Sequence, residues 1–474
     1  MSLPTERKIA LIGGGSVRAP LVVFGVNEAA EAIGAEEMVL YDPDAERLRV
    51  IVELGRAIVA KSGGALRVRA AASAEEAIEG ARFVLNSVRV GGIAGRASDE
   101  RIAIEHGYPG QETTGPAGVA MGLRTVPVAI EQARLVERLA PDAWLVNFTN
   151  PAGLITQAVS THTRAKIVGI CDTPQELFHN IAHALDADYA DVACDYVGLN
   201  HLGWVRGVRL RGEDVLDRLL ADDERLRRLY LAPLFDAAMI RSLRLIPTEY
   251  LFFYYERRRA LANQRRQGAS RGAEIEALNQ ALLETLSSRL QAGDGDGAVA
   301  AYAAYLNQRS GSYMKLEASA GSAFDEGVSL DVDPFRVATG YHRIAIDVMS
   351  ALTGARPGRI VVNTRNRGAI PDLPDEDIVE VSSQIGLDRI EPCHAGPLPD
   401  AVNGLVRAVK AYERAAIEAV LGNSMPTARK AMLIHPAIGE WSPTESLLHD
   451  LMGHHDPDGD CLCHDHRWLL PPEG

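Results

Sequence analysis

The chain has 474 residues, with 49 Lys and Arg against 63 Asp and Glu, so its formal net charge is −14. Its composition, 47% hydrophobic and 24% charged, excludes a collagen-like or disordered chain. The acidic charge argues against a general nucleic-acid binder, and no apolar run of about 18 residues is present to span a membrane. The start of the chain lacks a secretory signal, and five cysteines do not make a disulfide scaffold. We therefore expect a cytoplasmic protein.

The first 170 residues alternate strand and helix patterns. Helical patterns, including 20–33 and 45–61, separate the predicted strands, which are 8–12, 37–41, 82–88, 144–148 and 166–171. These strands are continuous apolar runs, which indicates that both of their faces are buried. Strands joined by helices predict an α/β fold with a Rossmann-type parallel sheet.

The pattern changes after about residue 190. Residues 196–210 alternate like a strand, 221–290 are charged and helical, and 406–421 form one long helical pattern. We predict a Rossmann-like domain at 1–190 and an α+β domain at 191–440. Residues 441–474 are predicted as a disordered or strand-like tail. The tail contains Cys461 and Cys463 among histidines, spaced too tightly for an ordinary zinc finger.

A glycine-rich turn follows the first predicted strand and opens a helix. Its residues are Gly13, Gly14, Gly15 and Ser16, although Arg18 stands where a dinucleotide fingerprint has its third glycine. Glycines let backbone amides approach a pyrophosphate at a helix N-terminus. Asp42 ends the second strand, where a carboxylate accepts a hydrogen bond from the ribose 2′-hydroxyl. The sequence therefore predicts a dinucleotide cofactor, NAD in preference to NADP.

Polar residues capable of catalysis or of metal binding follow the later strands. Asn150 and the pair Cys171-Asp172 come directly after strands, and His201 begins the second half of the chain. Ligands of open α/β sheets bind beyond the carboxyl ends of the strands. A cysteine and a histidine together suggest one metal ion, and ligand softness alone favours zinc.

Many short motifs together resemble glycoside hydrolase family four, the glycosidases that depend on NAD and a divalent metal. The matching segments, in the family's order, are GGGS with LYDPD, GGIAGRASDERI, GQETTGPAG, NFTNPAG, GICDTP, GLNHLGW, IPTEYL, SRGAEI, LNQRSGSYM, NTRNRGAIPDLP and ARKAMLIHP. The resemblance covers about residues 6–440 and is nearest to the 6-phospho-β-glucosidase branch.

The resemblance implies roles for the metal ligands and the catalytic groups. Cys171 and His201 resemble the protein ligands of a divalent metal, usually manganese, with sugar hydroxyls and water completing its coordination. Tyr250 resembles the base that removes the C2 proton, with Tyr254 and Tyr255 as neighbouring alternatives. Asp172 resembles a catalytic acid.

The resemblance also implies the contacts to the sugar. Arg96, Asn150 and Arg271 resemble substrate and phosphate contacts, and Glu112 resembles a further sugar-site residue. A chain with a charge of −14 needs such a local arginine cluster to attract a phosphosugar. The implied partner is a phosphorylated glycoside, and the implied assembly is a homo-oligomer, either a dimer or a tetramer.

The implied reaction is hydrolysis of 6-phospho-β-glucosides through oxidation at C3, removal of the C2 proton, elimination and addition of water. Two departures from the family pattern concern the details. Residues 17–20 are Val-Arg-Ala-Pro where the family often has Tyr-Thr-Pro, and Asp172 replaces an Asn common in β-specific members. A 6-phospho-α-glucosidase, or another family-four α-glycosidase, is therefore an alternative.

Other classes of protein fit less well. A 2-hydroxyacid dehydrogenase of the lactate/malate type shares the predicted fold, and a non-catalytic dinucleotide sensor is a further alternative. Neither accounts for the Cys171–His201 pair or the long second half of the chain.

Overall fold

The structure is a computed structural model that describes residues 7–230, 232–311 and 333–453. Its strands are β1 (Lys8–Ile12), β2 (Glu37–Tyr41), β3 (Arg67–Ala70), β4 (Phe83–Asn86), β5 (Trp144–Asn147), β6 (Lys166–Gly169), β7 (Val192–Leu199), β8 (Leu202–Leu210), β9 (Glu213–Asp214), β10 (Ile246–Pro247), β11 (Gly358–Arg365), β12 (Ile378–Gly386) and β13 (Arg389–Pro392).

The helices cover both faces of the sheet that these strands form. They are α1 (Ala19–Glu28), α2 (Ala30–Ile33), α3 (Ala45–Ser62), α4 (Ala74–Ile78), α5 (Gly92–Glu105), α6 (Gly115–Leu139), α7 (Ala152–His162), α8 (Thr173–Ala184), α9 (Leu216–Ala221), α10 (Asp223–Arg227), α11 (Ala237–Leu243), α12 (Phe252–Tyr255), α13 (Arg257–Gln267), α14 (Arg271–Gln291), α15 (Gly295–Gly311), α16 (Tyr341–Leu352), α17 (Asp400–Leu421), α18 (Met425–Ile434) and α19 (Thr444–Gly453).

The first half of the sheet is parallel and confirms the predicted α/β class. Its strand order is β3-β2-β1-β4-β5-β6, the order typical of dinucleotide-binding folds. The predicted strands and helices are present, with shifted ends. Strand 166–171 stops at Gly169, so Cys171 lies in the loop beyond the strand, and helix 20–33 is interrupted at Ala29.

Antiparallel strands extend this sheet beyond β6. The added order is β11-β12-β7-β8-β10. A row of paired residues runs from Gly169 through Asn363 and Glu380 to Gly198, so the strand before Cys171 and the strand before His201 belong to one hydrogen-bonded framework. The sheet is therefore continuous across residue 190, where the sequence predicts a domain boundary.

The region predicted as a tail begins with a helix. Residues 444–453 form α19, whose Leu447, Leu448 and Leu451 are fully buried in the same apolar cluster as α6 and α17. This burial explains the helix, because three leucines on one face stabilise it only through tertiary packing. Cys461 and Cys463 lie outside the described residues. In the part of the chain that is described, no helix is long and apolar enough to cross a membrane.

The glycine-rich turn requires glycine for a steric reason. Gly13 has φ +85°, and a Cβ atom there would lie 2.3 Å from the carbonyl oxygen of Ser87. Gly63, at the end of α3, has a similar φ of +72°, but a Cβ atom there would meet nothing within 4 Å.

We expect Gly13→Ala to lower the free energy of unfolding by about 3 kcal/mol, because it adds a backbone clash to the left-handed strain. Gly63→Ala is the matched control and should cost only about 1 kcal/mol, from the strain alone. Chemical denaturation of both variants measures the difference. Equal losses would show that the contact with Ser87 relaxes without cost.

Candidate active site

The glycine turn is fixed by the end of the neighbouring strand. The amides of Gly13 and Gly14 donate to the carbonyl oxygen of Tyr41 at 2.9 and 2.8 Å, and the Gly15 amide donates to Oδ2 of Asp42 at 3.0 Å. Oδ1 of Asp42 accepts from Nη2 of Arg47 at 3.1 Å. Asp42 therefore shapes the turn as well as ending the strand, and its negative charge is balanced by an arginine that lies five residues further along.

Two cavities meet beyond the carboxyl ends of the parallel strands. The first, here named the glycine-turn cavity, has a volume of about 410 Å³ and is lined by Gly13, Gly15, Ser16, Asp42, Arg47 and Asn150 among others. The second, here named the Tyr250 cavity, has about 370 Å³ and includes Tyr250, Asp172, Glu176, Glu249 and Arg271. Their common wall contains Arg18, Arg96, Glu112, Arg309 and Tyr341.

Tyr250 and His201 form a stacked pair. Their ring centroids are 3.6 Å apart and their planes differ by 6°. Tyr250 enters the site because a short 3-10 turn, Glu249–Leu251, follows β10, which pairs with β8. Of the three tyrosines considered from the sequence, Tyr250 lines the cavity, whereas Tyr254 stacks on His435.

His201 lies in the turn between β7 and β8 with a left-handed φ of 59°. Its Nδ1 is 2.8 Å from the hydroxyl of Thr113. Burial lowers the pKa of His201 to about 4, so the imidazole is neutral at neutral pH. A neutral imidazole is the form that binds a metal ion.

Cys171 is buried just beyond the end of β6, where the carboxylates of Glu380 and Asp172 act on it. Burial raises the pKa of the Cys171 thiol well above its usual value, and the charges of Glu380 and Asp172 raise it further. Glu380 accepts hydrogen bonds from Tyr196 at 2.6 Å, Asn200 at 3.1 Å and Asn363 at 2.9 Å. The thiol therefore needs a bound cation to become a thiolate.

Asp172, Glu176 and Glu249 form a group of carboxyl side chains on one side of the Tyr250 cavity. Asp172 precedes α8, Glu176 lies one helical turn later, and Glu249 accepts from the Thr173 hydroxyl at 3.2 Å. Burial raises the pKa of Asp172, although the charge of Arg18 lowers it in part. Burial, together with Glu249 and Asp172, raises the pKa of Glu176 as well. Asp172 and Glu176 therefore hold their protons more tightly than exposed carboxyl groups do.

The arginines of the common wall differ in what they contact. Nε of Arg96 donates to Glu100 at 2.8 Å, and its Nη1 lies 3.0 Å from Glu112, so two carboxylates hold its guanidinium. The guanidinium of Arg18 instead lies over the ring of Tyr341, 4.0 Å from the centroid. Burial lowers the pKa of Arg309 to about 10, and the positive charge of Arg18 contributes to this shift.

Most of the residues predicted from the sequence line these two cavities, whereas the predicted metal ligands Cys171 and His201 are in neither lining. Gly13, Gly15, Ser16, Asp42 and Asn150 line the first, Asp172, Tyr250 and Arg271 line the second, and Arg96 and Glu112 line both. Gly14 packs under the turn, where a Cβ atom would meet Leu40 at 2.7 Å. Arg271 is engaged by Glu274 at 2.7 Å and by the Arg309 carbonyl at 2.8 Å.

Sequence reasoning missed several groups in the site. The groups that reach it from several different elements are Arg309, Tyr341, Glu176 and Glu249, and Gln111 and Thr113 reach it from one loop. The spacing of Glu176, four residues after Asp172 on a helix, is the one signal that could have indicated a second carboxyl group on the same face. Cys171 and His201 are the expected metal ligands, and the described residues contain no cluster of three His, Cys, Asp or Glu side chains able to hold a metal.

Comparison with known proteins identifies the family. The model for "Family 4 glycosyl hydrolase" matches residues 8–187, and the model for "Family 4 glycosyl hydrolase C-terminal domain" matches residues 196–438. The chain belongs to glycosyl hydrolase family 4. It is therefore a glycosidase, as the sequence motifs predicted, and a 2-hydroxyacid dehydrogenase or a non-catalytic sensor is set aside.

Relatives within family 4 cover nearly the whole chain. A probable 6-phospho-beta-glucosidase of Bacillus subtilis (strain 168) is 30% identical over 94% of this chain and 96% of its own. The 6-phospho-beta-glucosidase of Thermotoga maritima is also 30% identical, over 94% and 97%. Its structure with NAD and glucose-6-phosphate has a TM-score of 0.77 and 28% identity, and covers 94% of this chain and 98% of its own.

A 6-phospho-alpha-glucosidase from gut microorganisms is a further structural relative. Its complex with NAD and glucose-6-phosphate has a TM-score of 0.81 and 25% identity, and covers 96% of this chain and 98% of its own. Another structure of the Thermotoga maritima enzyme contains manganese together with NAD+ and glucose-6-phosphate.

The ion pair between Asp42 and Arg47 predicts how cofactor preference would change. We expect the wild-type enzyme to prefer NAD+, because the Asp42 carboxylate pairs with the guanidinium of Arg47 and would repel a 2′-phosphate. Asp42→Ser should shift the affinity ratio towards NADP+ by about tenfold or more, because it releases a cation able to make a charged hydrogen bond. Isothermal titration with each cofactor measures the ratio.

The double variant Asp42→Ser/Arg47→Ser is the control, since it removes the released cation. It should show no gain in affinity for NADP+, and its affinity for NAD+ should be as weak as that of Asp42→Ser. A double variant that still favours NADP+ would contradict a role for Arg47.

Proposed function

We propose that this chain hydrolyses 6-phospho-β-glucosides with the help of NAD+ and a divalent metal ion, of which Mn2+ is the first candidate. The observation that carries the proposal is the common wall of the two cavities. It brings a glycine turn suited to a dinucleotide next to the stacked pair of Tyr250 and His201. Identity favours the β-branch, since the curated β-glucosidases share 28–30% with this chain and the full-length α-enzyme matches share 25% or less.

The donor set fits a divalent metal. Cys171 would supply a thiolate and His201 a neutral nitrogen, and both are buried, so water does not compete strongly for them. Their two contacts leave coordination positions for substrate oxygens and water, as in open catalytic sites. When bound, NAD+ supplies a hydride acceptor for C3 and the metal supplies Lewis acidity at the C2 and C3 oxygens.

The chain's own residues would move the protons. Tyr250 is the proposed base that takes the proton from C2. The C1–C2 bond of the sugar then becomes a double bond as the C1–O bond breaks. Asp172 is the proposed acid that gives a proton to the departing oxygen, and Glu176 stands one turn behind it to replace that proton. Water then adds at C1 by the reverse proton transfers, and hydride returns to C3, so no net NADH is formed.

The phosphate group would occupy the common wall. Arg18 presents its guanidinium there beside Arg309, and Arg96 lies close enough to lower the pKa of Arg309 as well. A phosphate dianion placed among these side chains would relieve the repulsion between like charges. Arg271, in the Tyr250 cavity, and Asn150, in the glycine-turn cavity, are proposed as further substrate contacts. Glu112, which pairs with Arg96 and Arg89, is proposed to orient this wall.

A 6-phospho-α-glucosidase is the second candidate. Asp172 follows Cys171 where an Asn is common in β-specific members, and the α-enzyme structure superimposes with the TM-score of 0.81. Hydrolysis of 4-nitrophenyl α- and β-glucosides, each with and without a 6-phosphate, in the presence of NAD+ and Mn2+, tests the proposal. Turnover of the 6-phospho-β-glucoside alone is expected, and turnover of only the α-anomer would replace the first candidate with the second.

We also propose the domain organisation, the assembly and the cellular location of the enzyme. The division into domains at 1–190 and 191–440 is proposed to separate cofactor binding from substrate binding and assembly. A homo-oligomer is supported by exposed apolar side chains on α17 and α18 and in the loop before α19, namely Leu421, Met425, Leu433 and Trp441. A cytoplasmic location is supported by the unpaired cysteines Cys171, Cys194 and Cys393.

The mechanism predicts exchange at C2. Hydrolysis in D2O should place deuterium at C2 of the released sugar, read by NMR, because Tyr250 returns a solvent-equilibrated proton to that carbon. Tyr250→Phe should suppress exchange and turnover together, and Tyr254→Phe is the matched control that should change neither.

A base that shields its proton from solvent would leave C2 protonated during turnover. The kinetic isotope effect with C2-deuterated substrate resolves that case. No isotope effect at C2 or C3, with chemistry limiting the rate, would contradict the elimination mechanism.

The arginine arrangement predicts which residue recognises phosphate. Arg18→Gln should raise KM for the 6-phosphoglucoside by about tenfold or more, because a charged hydrogen bond to the phosphate is lost. Arg101→Gln is the control, since Arg101 lies outside both cavities and contacts Glu105 and the Ser98 hydroxyl on its own helix. Steady-state kinetics measures both. An unchanged KM in Arg18→Gln would place the phosphate elsewhere.

A further inference from the structure

Three buried side chains lie behind His201. Gln111, Thr113 and Thr114 belong to the loop that connects α5 with α6, and they are 6%, 8% and 3% exposed. Oε1 of Gln111 accepts from the backbone amides of Thr113 at 2.7 Å and of Thr114 at 2.8 Å. Two amide donors on one atom identify that atom as the oxygen, because the amide nitrogen of Gln111 cannot accept from them.

This arrangement determines which hydrogen bond the Thr113 hydroxyl donates. It lies 2.8 Å from the same Oε1 of Gln111 and 2.8 Å from Nδ1 of His201. A hydroxyl has one proton, and only that proton can bridge two oxygens. Thr113 therefore donates to Gln111, and its oxygen accepts from His201.

The tautomer of His201 follows. Because the Thr113 oxygen can only accept from it, Nδ1 of His201 carries a proton, and an imidazole that binds a metal ion has one N–H group. With the proton on Nδ1, the lone pair is on Nε2. Stacking on Tyr250 at 3.6 Å fixes the plane of the ring, so both the direction and the protonation of His201 are set before any metal arrives.

We propose that Thr113, with its proton committed to Gln111, is the positioning residue that holds His201 in the Nδ1–H tautomer and reserves Nε2 for the metal ion. This proposal rests on the proposed metal-binding role of His201. Outer groups that orient a ligating histidine are worth about 10- to 100-fold in metal affinity. Thr113 would act through His201 and needs no contact with the substrate.

The first experiment measures Mn2+ binding to the full-length chain in saturating NAD+, with unbound Mn2+ followed by its EPR signal. Thr113→Val removes the hydroxyl and keeps the shape of the side chain, and it should weaken binding by about 10- to 100-fold. Thr113→Ser keeps the hydroxyl and should restore affinity to within about threefold of the wild type. A folded Thr113→Val variant with wild-type Mn2+ affinity would overturn the proposal.

A second variant tests the direction of the relay. Gln111→Met removes the acceptor for the Thr113 proton, so the hydroxyl becomes able to donate to Nδ1 and to favour the Nε2–H tautomer. Mn2+ affinity should fall although Thr113 is retained. Unchanged affinity in folded Gln111→Met would overturn the relay, whereas unchanged affinity in His201→Ala would overturn the proposed metal site itself.

A third measurement needs no variant that alters the relay. NMR of the metal-free wild-type protein with 15N-labelled histidine, assigned by comparison with His201→Asn, reports which ring nitrogen carries the proton. We expect the proton on Nδ1. A proton on Nε2 would overturn the proposal whatever the variants show.

Discussion

The carboxylate of Glu380 is the interaction on which the site depends. It is 1% exposed, and it joins Tyr196 and Asn200 from one strand and its turn to Asn363 from another. A buried carboxylate is costly unless donors surround it, so these three bonds hold the antiparallel half of the sheet in one arrangement. Burial nevertheless raises the pKa of Glu380 to about 6. The same group contributes to the raised pKa of Cys171, which links the framework to the chemistry.

Local sequence patterns predicted the parallel half of the fold because its signals are local. Apolar strands such as Lys8–Ile12 and Glu37–Tyr41, and the glycines between them, need no distant partner to be recognised. The motifs around Cys171 and His201 led to the predicted site residues because they resemble the motifs of a known family. The helix Thr444–Gly453 was not predicted, because its leucines become a signal only when α6 and α17 are there to cover them.

The unpredicted parts of the site depend on tertiary contacts. Thr113 is an ordinary threonine in a motif until the fold brings His201, 88 residues later, within 2.8 Å of it. Arg96 and Arg18 look alike in the sequence, but two carboxylates hold the first and an aromatic ring faces the second. Charge counting therefore establishes that an acidic chain needs local cations, and only the packing decides which guanidinium groups remain oriented towards a ligand.

The common wall gives the two cavities a thermodynamic connection. Arg18, Arg309 and Tyr341 border both, so a ligand that moves or neutralises these side chains in one cavity changes the surface offered to the other. Linkage requires the effect to be reciprocal: any factor by which a dinucleotide alters the affinity for a sugar phosphate is the factor by which the sugar phosphate alters the affinity for the dinucleotide. An enzyme that regenerates its cofactor in every cycle gains from such coupling, since substrate arriving in one cavity then helps to retain the cofactor in the other.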